Sequence, residues 1–252
     1  MNSPSHNEDL QAPSQRQEPQ IKELIGPSSP AGQPWVRMVA VTTVHGSATL
    51  EGNSGAIGND LDSQLLAGLR DWADAVLVGS ATVKAEGYGG IPATASRPSP
   101  APFAVLSSSL DLDPTSRFFT QAVTPPLIVT PTSSLDDPAL DSTRRALDAA
   151  GARLVDGGDG SVESAIRALN DLGYAKVSCE GGPRVYSGAL SSGLLNQLYL
   201  TVDPHVSPLV EKTLVPQREP GQPNQVQRLE LEHCAVSADS TVFLRYGVAR
   251  TH

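Results

Sequence analysis

Short apolar runs alternate along the chain with segments whose apolar residues repeat at helical spacing. Residues 35–44 form a β-branched run, which suits a strand that is covered on both faces. Asn59 or Asp60 can cap the next segment, whose apolar residues have the 3.6-residue period of a helix: Leu61, Leu65, Leu66, Leu69 and Trp72. The pattern therefore predicts a strand followed by an amphipathic helix.

The same alternation continues through the middle of the chain. Short apolar runs predict five more strands, at residues 75–78, 103–106, 127–129, 153–155 and 176–179. Asp137-Pro138 and Ser161 are signals for the start of two helices between these strands, and Pro183 begins a third helix. Strands that are joined by helices in this way run parallel and have right-handed crossovers.

The end of the chain departs from this alternation. Residues 198–202, 229–236 and 241–246 are typical of strands and have no helix between them, and the last two predict an antiparallel hairpin. We therefore predict an α/β fold, a three-layer α/β/α domain around a mixed, mostly parallel sheet with a C-terminal antiparallel hairpin. Such sheets bind their ligands at the carboxyl ends of the strands.

The first 34 residues differ in composition from the rest of the chain. Gln, Pro, Ser and Glu dominate there, and the few large apolar residues include Ile21, Leu24 and Ile25, just before Gly26-Pro27. Such a segment buries too little apolar surface to offset the entropy lost on ordering. We expect residues 1–34 to be a disordered, dispensable tail and residues 35–252 to be a single domain.

Composition and charge exclude several classes of function. The chain has 252 residues and a formal charge of −9, which would repel nucleic acid, although backbone N–H groups can still bind a small anion. Its two cysteines, Cys179 and Cys234, and its scattered histidines lack the spacing of metal ligands, so we expect no metal. Neither a signal peptide nor an apolar run of ~18 residues is visible, so we expect a cytoplasmic protein with no membrane partner.

Two glycine-containing turns follow predicted strands and precede helices. They are Gly79-Ser80-Ala81-Thr82-Val83 and Glu180-Gly181-Gly182-Pro183. Backbone N–H groups at such a helix start can hold an anion, and two of these turns in one α/β domain indicate a dinucleotide. Taken alone, the Glu180 turn is equally well an ordinary strand-to-helix turn, and Ser80 or Thr82 is more simply read as an N-cap. No G-x-G-x-x-G motif follows the first strand, which disfavours a standard Rossmann site.

A third segment, residues 42–57, leaves the first strand and is unusually rich in small residues. Small polar side chains leave room for a flat ring, which suggests a ligand pocket. A flexible surface loop explains the same composition equally well.

The order of these segments carries a family resemblance. Over residues 35–246 the chain resembles the reductase (C-terminal) domain of the bifunctional riboflavin-biosynthesis deaminase-reductases. The resemblance lies in the order of a first strand, a Gly-Ser loop, a helix with Leu69-Arg70, the Gly-Ser-Ala-Thr-Val turn and finally the Glu-Gly-Gly-Pro turn. The zinc-deaminase signature is absent from the sequence. The resemblance implies a homodimeric dihydrofolate-reductase-like fold, NADPH as cofactor, and hydride transfer to the ribosyl C1′ of 5-amino-6-(5-phosphoribosylamino)uracil.

The resemblance also implies roles for individual residues. The positions that match cofactor contacts are Val41, Thr82, Glu86, Ser108, Gly181, Gly182, Pro183, Arg184, Val185 and Tyr186. The candidates for binding the small-molecule substrate are Thr43, Ser54, Arg70 and Glu180. Hydroxyl and N–H groups of Ser107, Ser108 and Ser109 are expected to bind the 2′-phosphate and to favour NADPH over NADH.

The chain departs from the family pattern in two main places. The family usually has Ser-x-Asp-Gly after the first strand, where this chain has Thr43-Val44-His45-Gly46. The family's arginine for the substrate phosphate has no clear counterpart, and Arg97 is the nearest candidate. Histidine can donate a proton near neutral pH, so we expect His45 and Glu180 to be the catalytic residues, unless His45 only fills a turn.

Three functions therefore stay open. The first is the pyrimidine reductase, which the retained Arg70, Thr82 and Glu180 favour. The second is an NADPH-dependent reductase of the same fold that acts on a pterin or folate-like substrate, whose flat ring would occupy the same pocket. The third is a non-catalytic nucleotide-binding homologue.

Overall fold

The computed structural model describes residues 17–216 and 226–249. Its helices and strands are, in chain order, α1 (Ile21–Ile25), β1 (Trp35–Thr43), α2 (Asp60–Trp72), β2 (Ala75–Gly79), α3 (Ser80–Ala85), β3 (Phe103–Leu106), α4 (Arg117–Thr120), β4 (Leu127–Thr130), α5 (Thr132–Asp136), α6 (Asp141–Ala149), β5 (Arg153–Asp156), α7 (Val162–Asp171), β6 (Lys176–Cys179), α8 (Pro183–Ser191), β7 (Leu195–Asp203), β8 (Leu229–Val236) and β9 (Val242–Val248). Two 3-10 turns lie at Ser54–Ala56 and Pro138–Leu140.

These strands form one sheet in the order β5-β4-β3-β2-β6-β1-β7-β9-β8. Every neighbouring pair from β5 to β7 is parallel, whereas β9 runs antiparallel to both β7 and β8. The predicted mixed, mostly parallel sheet with a C-terminal antiparallel hairpin is confirmed. Because β6 lies between β2 and β1, the carboxyl ends of these three strands are adjacent.

Helices cover both faces of the sheet, because successive strand residues point to opposite sides. Leu77 of β2 packs in one apolar cluster with α7 and α8, while its neighbours Val76 and Val78 pack in another with α3, α4 and α6. A third cluster joins α1 and α2 to Val39 of β1 and to Tyr199. The result is the predicted three-layer α/β/α arrangement.

Polar caps occur where the sequence predicts helix starts. The Asn59 side chain accepts a hydrogen bond from the N–H of Asp62 at 2.9 Å, and Ser161 accepts one from Ser164 at 3.1 Å. Asp137 caps the 3-10 turn before α6 rather than the α-helix itself. The short helices α4 and α5 were not predicted, because four or five residues are too few to show a helical period.

The segment before β1 differs from the disordered tail expected through residue 34. Leu24 of α1 is buried with 2% of its surface exposed. Arg245 Nη1 donates hydrogen bonds to the carbonyl oxygens of Glu23 and Leu24, both at 2.9 Å, and the Tyr199 hydroxyl donates to that of Ile25 at 2.7 Å. Residues 1–16, which share that expectation, lie outside the described residues.

Two features of the domain correct this expectation. The composition of a segment shows only how much apolar surface the segment itself can bury. In the folded chain, side chains from β7 and β9 also donate hydrogen bonds to the carbonyl oxygens at the end of α1. The helices also approach closely at Gly68 of α2, where a Cβ would lie only 2.4 Å from Cδ1 of Ile25. The packed part of the chain therefore begins before Trp35.

We predict that Leu24→Ala lowers the free energy of unfolding by about 2–5 kcal/mol, because it leaves a cavity beneath α1. The matched control is Leu231→Ala on β8, where the side chain is 56% exposed, and there we expect a change below about 0.5 kcal/mol. Urea unfolding followed by circular dichroism measures both. Equal stability of Leu24→Ala and the parent protein would contradict the packing of α1.

Candidate active site

A cavity opens at the carboxyl ends of β1 and β6, beside α2, α3 and α8. We call residues 44–59 the β1–α2 loop and residues 204–216 the β7 loop, and both contribute to its walls. The lining residues are Val39, Ala40, Val41, Ala48, Thr49, Ser54, Asp62, Leu66, Thr82, Glu86, Tyr88, Glu180, Gly182, Pro183, Tyr186, Lys212, Thr213 and Leu214.

The two glycine turns identified in the sequence contact each other beside this cavity. The N–H of Gly79 donates a hydrogen bond to the carbonyl oxygen of Gly181 at 2.7 Å. A Cβ at Gly182 would lie 2.6 Å from Oγ1 of Thr82. Gly181 has a φ of +89°, and a Cβ there would lie 2.6 Å from the Tyr186 ring. Side chains at either position would therefore close the space between the two turns.

Glu180 and Arg70 form a buried, bidentate ion pair at the same place. Arg70 Nε lies 2.8 Å from Oε1 of Glu180 and Nη2 lies 2.6 Å from Oε2. The Glu180 side chain is 3% exposed. Burial alone would lower the pKa of Arg70, but the adjacent carboxylate raises it by more, so the arginine stays charged. Glu180 thus lines the cavity with a carboxylate whose negative charge is neutralised by Arg70.

Two aromatic rings surround the guanidinium of Arg70. Its central carbon lies 5.7 Å from the ring centroid of Tyr88 and 5.3 Å from that of Phe103. Such cation–π contacts hold the guanidinium in place and leave its N–H groups free to bind Glu180. Burial and the neighbouring carboxylate of Glu180 raise the pKa of Tyr88, so its hydroxyl remains a neutral group beside the cavity.

Asp62 is a cavity residue that the sequence did not single out. It lies in the first turn of α2, where acidic residues are common because they interact favourably with the helix dipole. Its position in the sequence therefore gave no sign of a role in the cavity. Burial raises the pKa of Asp62, the hydrogen bond from the Thr201 hydroxyl lowers it in part, and the nearby Asp203 carboxylate raises it again. Asp62 is therefore a carboxyl group that holds its proton to higher pH than usual.

The β7 loop was also missed, because its residues lie about 160 positions from the loop that it contacts. The N–H of Ala48 donates to the carbonyl oxygen of Lys212 at 2.7 Å. The Glu211 carboxylate accepts three hydrogen bonds from the β1–α2 loop, from the hydroxyl of Thr49 at 3.0 Å and from the N–H groups of Glu51 at 2.8 Å and Gly52 at 2.9 Å. Together these bonds join the two loops into one wall.

The structure does not bring His45 or Thr43 to the lining of the cavity. Nδ1 of His45 lies 2.9 Å from the Thr43 hydroxyl, and Nε2 donates to the carbonyl oxygen of Leu209 at 3.1 Å. The Thr43 hydroxyl also accepts a hydrogen bond from the N–H of Ser47 at 2.9 Å. Both side chains hold the β1–α2 loop, and the catalytic role of His45 stays a prediction.

The cofactor candidates divide into two groups. Six of them line the cavity: Val41, Thr82, Glu86, Gly182, Pro183 and Tyr186. Tyr186 is fixed there by a hydrogen bond from its hydroxyl to the carbonyl oxygen of Val39 at 2.8 Å. Of the others, Arg184 is exposed on α8, whereas the side chain of Val185 is buried in the apolar core.

Ser107 and Ser108 lie beyond the end of β3, away from the residues that line the cavity. Ser108 is exposed, and its carbonyl oxygen accepts a hydrogen bond from the Ser134 hydroxyl at 2.8 Å. The hydroxyl oxygens of Ser107 and of Thr130, at the end of the neighbouring β4, are buried and have no hydrogen-bond partner among the described residues. Buried polar atoms of this kind are rare in folded proteins unless a ligand or water binds them.

Of the remaining substrate candidates, Ser54 lines the cavity and Arg97 does not. Nη1 of Arg97 instead donates to carbonyl oxygens of Arg70, Asp71 and Ala73 and so binds the end of α2. Within residues 17–216 and 226–249, no cluster of His, Cys, Asp or Glu could hold a metal ion, and no helix is long and apolar enough to span a membrane.

The chain matches one protein family over most of its length. The RibD C-terminal domain family matches residues 34–243. A pyrimidine reductase-like protein from Corynebacterium diphtheriae is 32% identical, with a TM-score of 0.76, over 86% of this chain and 93% of that chain. No curated protein matches the chain.

More distant solved structures share the fold. RibD from Acinetobacter baumannii is 18% identical with a TM-score of 0.70, and the match covers 87% of this chain and 59% of that chain. The riboflavin biosynthesis reductase Rib7 of Saccharomyces cerevisiae is 15% identical with a TM-score of 0.60, over 89% of this chain and 94% of that chain. These two structures share the fold, and the match over residues 34–243 shows that the chain belongs to the RibD C-terminal domain family.

Proposed function

We propose that the protein is an NADPH-dependent reductase of riboflavin biosynthesis, which transfers a hydride to the ribosyl C1′ of 5-amino-6-(5-phosphoribosylamino)uracil. The observation that carries this proposal is the meeting of both glycine turns with the Arg70–Glu180 pair at one cavity. The family match and the reductases among the structural neighbours support it.

The residues of the cavity fit a nicotinamide dinucleotide. Gly181 and Gly182 keep free the space that side chains would fill, and Gly182 precedes α8 without providing a side-chain cap. Its first N–H groups are therefore available to a phosphate. Ser108, which is exposed beyond the end of β3, is the residue that we assign to the adenosine end of the cofactor. When bound, NADPH supplies the hydride.

The chain itself orients the substrate and supplies a proton. The carboxylate of Glu180 cannot rotate freely, because Arg70 binds both of its oxygens, and we infer that it accepts hydrogen bonds from the ribose hydroxyls of the substrate. The reduced atom or its neighbour must gain one proton. Asp62 lines the cavity with a raised pKa, and we infer that it is the proton donor.

Asp62 also favours a second candidate, the reduction of a pterin or folate-like substrate. In its ionised form its carboxylate could accept hydrogen bonds from the amino group and the adjacent ring N–H of an aminopyrimidine. The third possibility, a non-catalytic nucleotide-binding homologue, applies if no substrate is reduced.

We further propose that the protein is a homodimer. Large apolar side chains are exposed on and beside the two loops, at Val44, Val206, Leu209, Val210 and Val215. Exposed apolar residues that lie together are typical of association surfaces. Light scattering on the purified protein measures its mass, and a monomer would contradict this. A cytoplasmic location stays a prediction from the sequence.

The proposed function is tested by NADPH oxidation, followed at its absorbance band. We expect oxidation with the ribosylaminopyrimidine phosphate, and a dissociation constant for NADH about 10–100 times that for NADPH, as loss of charge-assisted hydrogen bonds to the 2′-phosphate implies. Reduction of dihydrofolate alone would assign the second candidate. If neither substrate is reduced, the non-catalytic alternative holds.

We predict that Glu180→Gln lowers kcat/KM about 10–100-fold, because it removes a charged acceptor from the substrate. NADPH affinity is expected to be nearly unchanged, because the glycine turns and not the carboxylate hold the cofactor. The variant also leaves the buried charge of Arg70 unpaired, so its melting temperature is measured on the same samples and assays are run well below it. Normal turnover would remove Glu180 from the substrate site.

The pH profile separates the two candidate proton donors. If Asp62 donates the proton, its protonated form is active, so turnover falls as the pH rises through the raised pKa of Asp62. Asp62→Asn should remove this limb and lower kcat about 10²–10⁴-fold. His45→Ala should keep the limb, because one ring nitrogen of His45 contacts Thr43 and the other contacts the β7 loop. Loss of the limb in His45→Ala alone would make His45 the donor.

A further inference from the structure

We propose that Lys212 binds the phosphate monoester of the substrate at the exposed side of the cavity. Lys212 belongs to the β7 loop, which the sequence did not connect with the site, and it lines the cavity next to Thr213 and Leu214. The inference rests on the proposed function, since it assigns the anionic end of that substrate to one residue.

The charges of the cavity require a cation for such a ligand. Glu86 and Glu180 line it, and Arg70 balances only Glu180. The whole chain carries a formal charge of −9, so the general field repels an anion. Among the described residues that line the cavity, Lys212 is the one lysine or arginine.

Three arginines outside the cavity lining are engaged elsewhere. Arg97, the candidate from the sequence, binds three carbonyl oxygens at the end of α2. Arg37 and Arg245 bind carbonyl oxygens of the segment that contains α1. A phosphate that reaches into the cavity therefore meets Lys212 before it meets these arginines.

The backbone of Lys212 is fixed while its ammonium group stays available. Its carbonyl oxygen accepts from Ala48, and the adjacent Glu211 carboxylate binds the β1–α2 loop through three hydrogen bonds. The ammonium group has no ion pair within the part of the chain that the structure describes. A lysine on a fixed backbone can direct its flexible charged end to a phosphate oxygen. Glu211 is accordingly a positioning residue for Lys212.

The kinetic test compares the substrate with its dephosphorylated form in the full-length protein. We expect Lys212→Gln to raise KM for the phosphorylated substrate about tenfold or more, with kcat nearly unchanged, as loss of one charge-assisted hydrogen bond implies. KM for the dephosphorylated form should not change. Lys212→Arg should restore the parent KM, and Lys22→Gln, which removes the same charge from the exposed face of α1, should have no effect.

A binding test gives an answer even if the protein reduces neither substrate. The probe is ribose 5-phosphate, compared with ribose, added to protein saturated with NADP⁺ so that the cofactor's own anion sites are filled. We expect ribose 5-phosphate to raise the melting temperature of the parent protein and of Lys22→Gln, but not that of Lys212→Gln. Failure of turnover with this pattern intact would overturn the proposed reaction and keep Lys212 as the phosphate ligand.

Two results would overturn the assignment of Lys212. One is an equal rise of KM for the phosphorylated and dephosphorylated substrates in Lys212→Gln, which would show that the lysine holds the loop and not the phosphate. The other is an unchanged response of Lys212→Gln to ribose 5-phosphate combined with a lost response to p-aminobenzoylglutamate, which would assign Lys212 to the carboxylates of a folate-like substrate.

Discussion

The ion pair between Arg70 and Glu180 is the interaction on which the rest of the site depends. A carboxylate that is almost fully buried keeps its charge only if a fixed cation and hydrogen-bond donors compensate for lost water. Arg70 provides both through two hydrogen bonds, and Tyr88 and Phe103 hold the guanidinium from the side. The pair thus ties α2 to the end of β6 and leaves Glu180 as a rigid group in the cavity wall.

The order of the strands determines which segments lie next to this ion pair. Because β6 is inserted between β2 and β1, the turn after β2 and the turn after β6 meet, and the N–H of Gly79 bonds to the carbonyl oxygen of Gly181. Glycine is needed at Gly181 and Gly182, since a Cβ at either would collide with Tyr186 or Thr82. The same geometry leaves the start of α8 open towards the cavity, so the backbone that we propose to hold the cofactor also places Glu180 in the cavity wall.

The walls of the cavity come from segments that are far apart in the chain. Glu211 and Lys212 of the β7 loop bind the loop that follows β1, and His45 joins the same two loops through its ring nitrogens. The departure from the family pattern at His45 therefore has a structural explanation in these contacts. The cation that we assign to the substrate phosphate lies on this shared wall, whereas the arginine nearest to the family position stabilises the end of α2.

The sequence by itself determined the features that depend on neighbouring residues. Apolar periodicity and local caps such as Asn59 and Ser161 predicted the long helices and most strands, and glycine next to a strand end predicted both turns. Tertiary structure decided the features that depend on distant partners. The helix α1 is ordered because Arg245 and Tyr199 bind its carbonyl oxygens, and the pKa of Asp62 is raised because the fold buries it near Asp203. Lys212 lies at the cavity because Glu211 binds the β1–α2 loop. A hydrogen bond between distant segments, or the burial of a charge by them, cannot be predicted from the local sequence. Its energy depends on which groups the folded chain brings into contact.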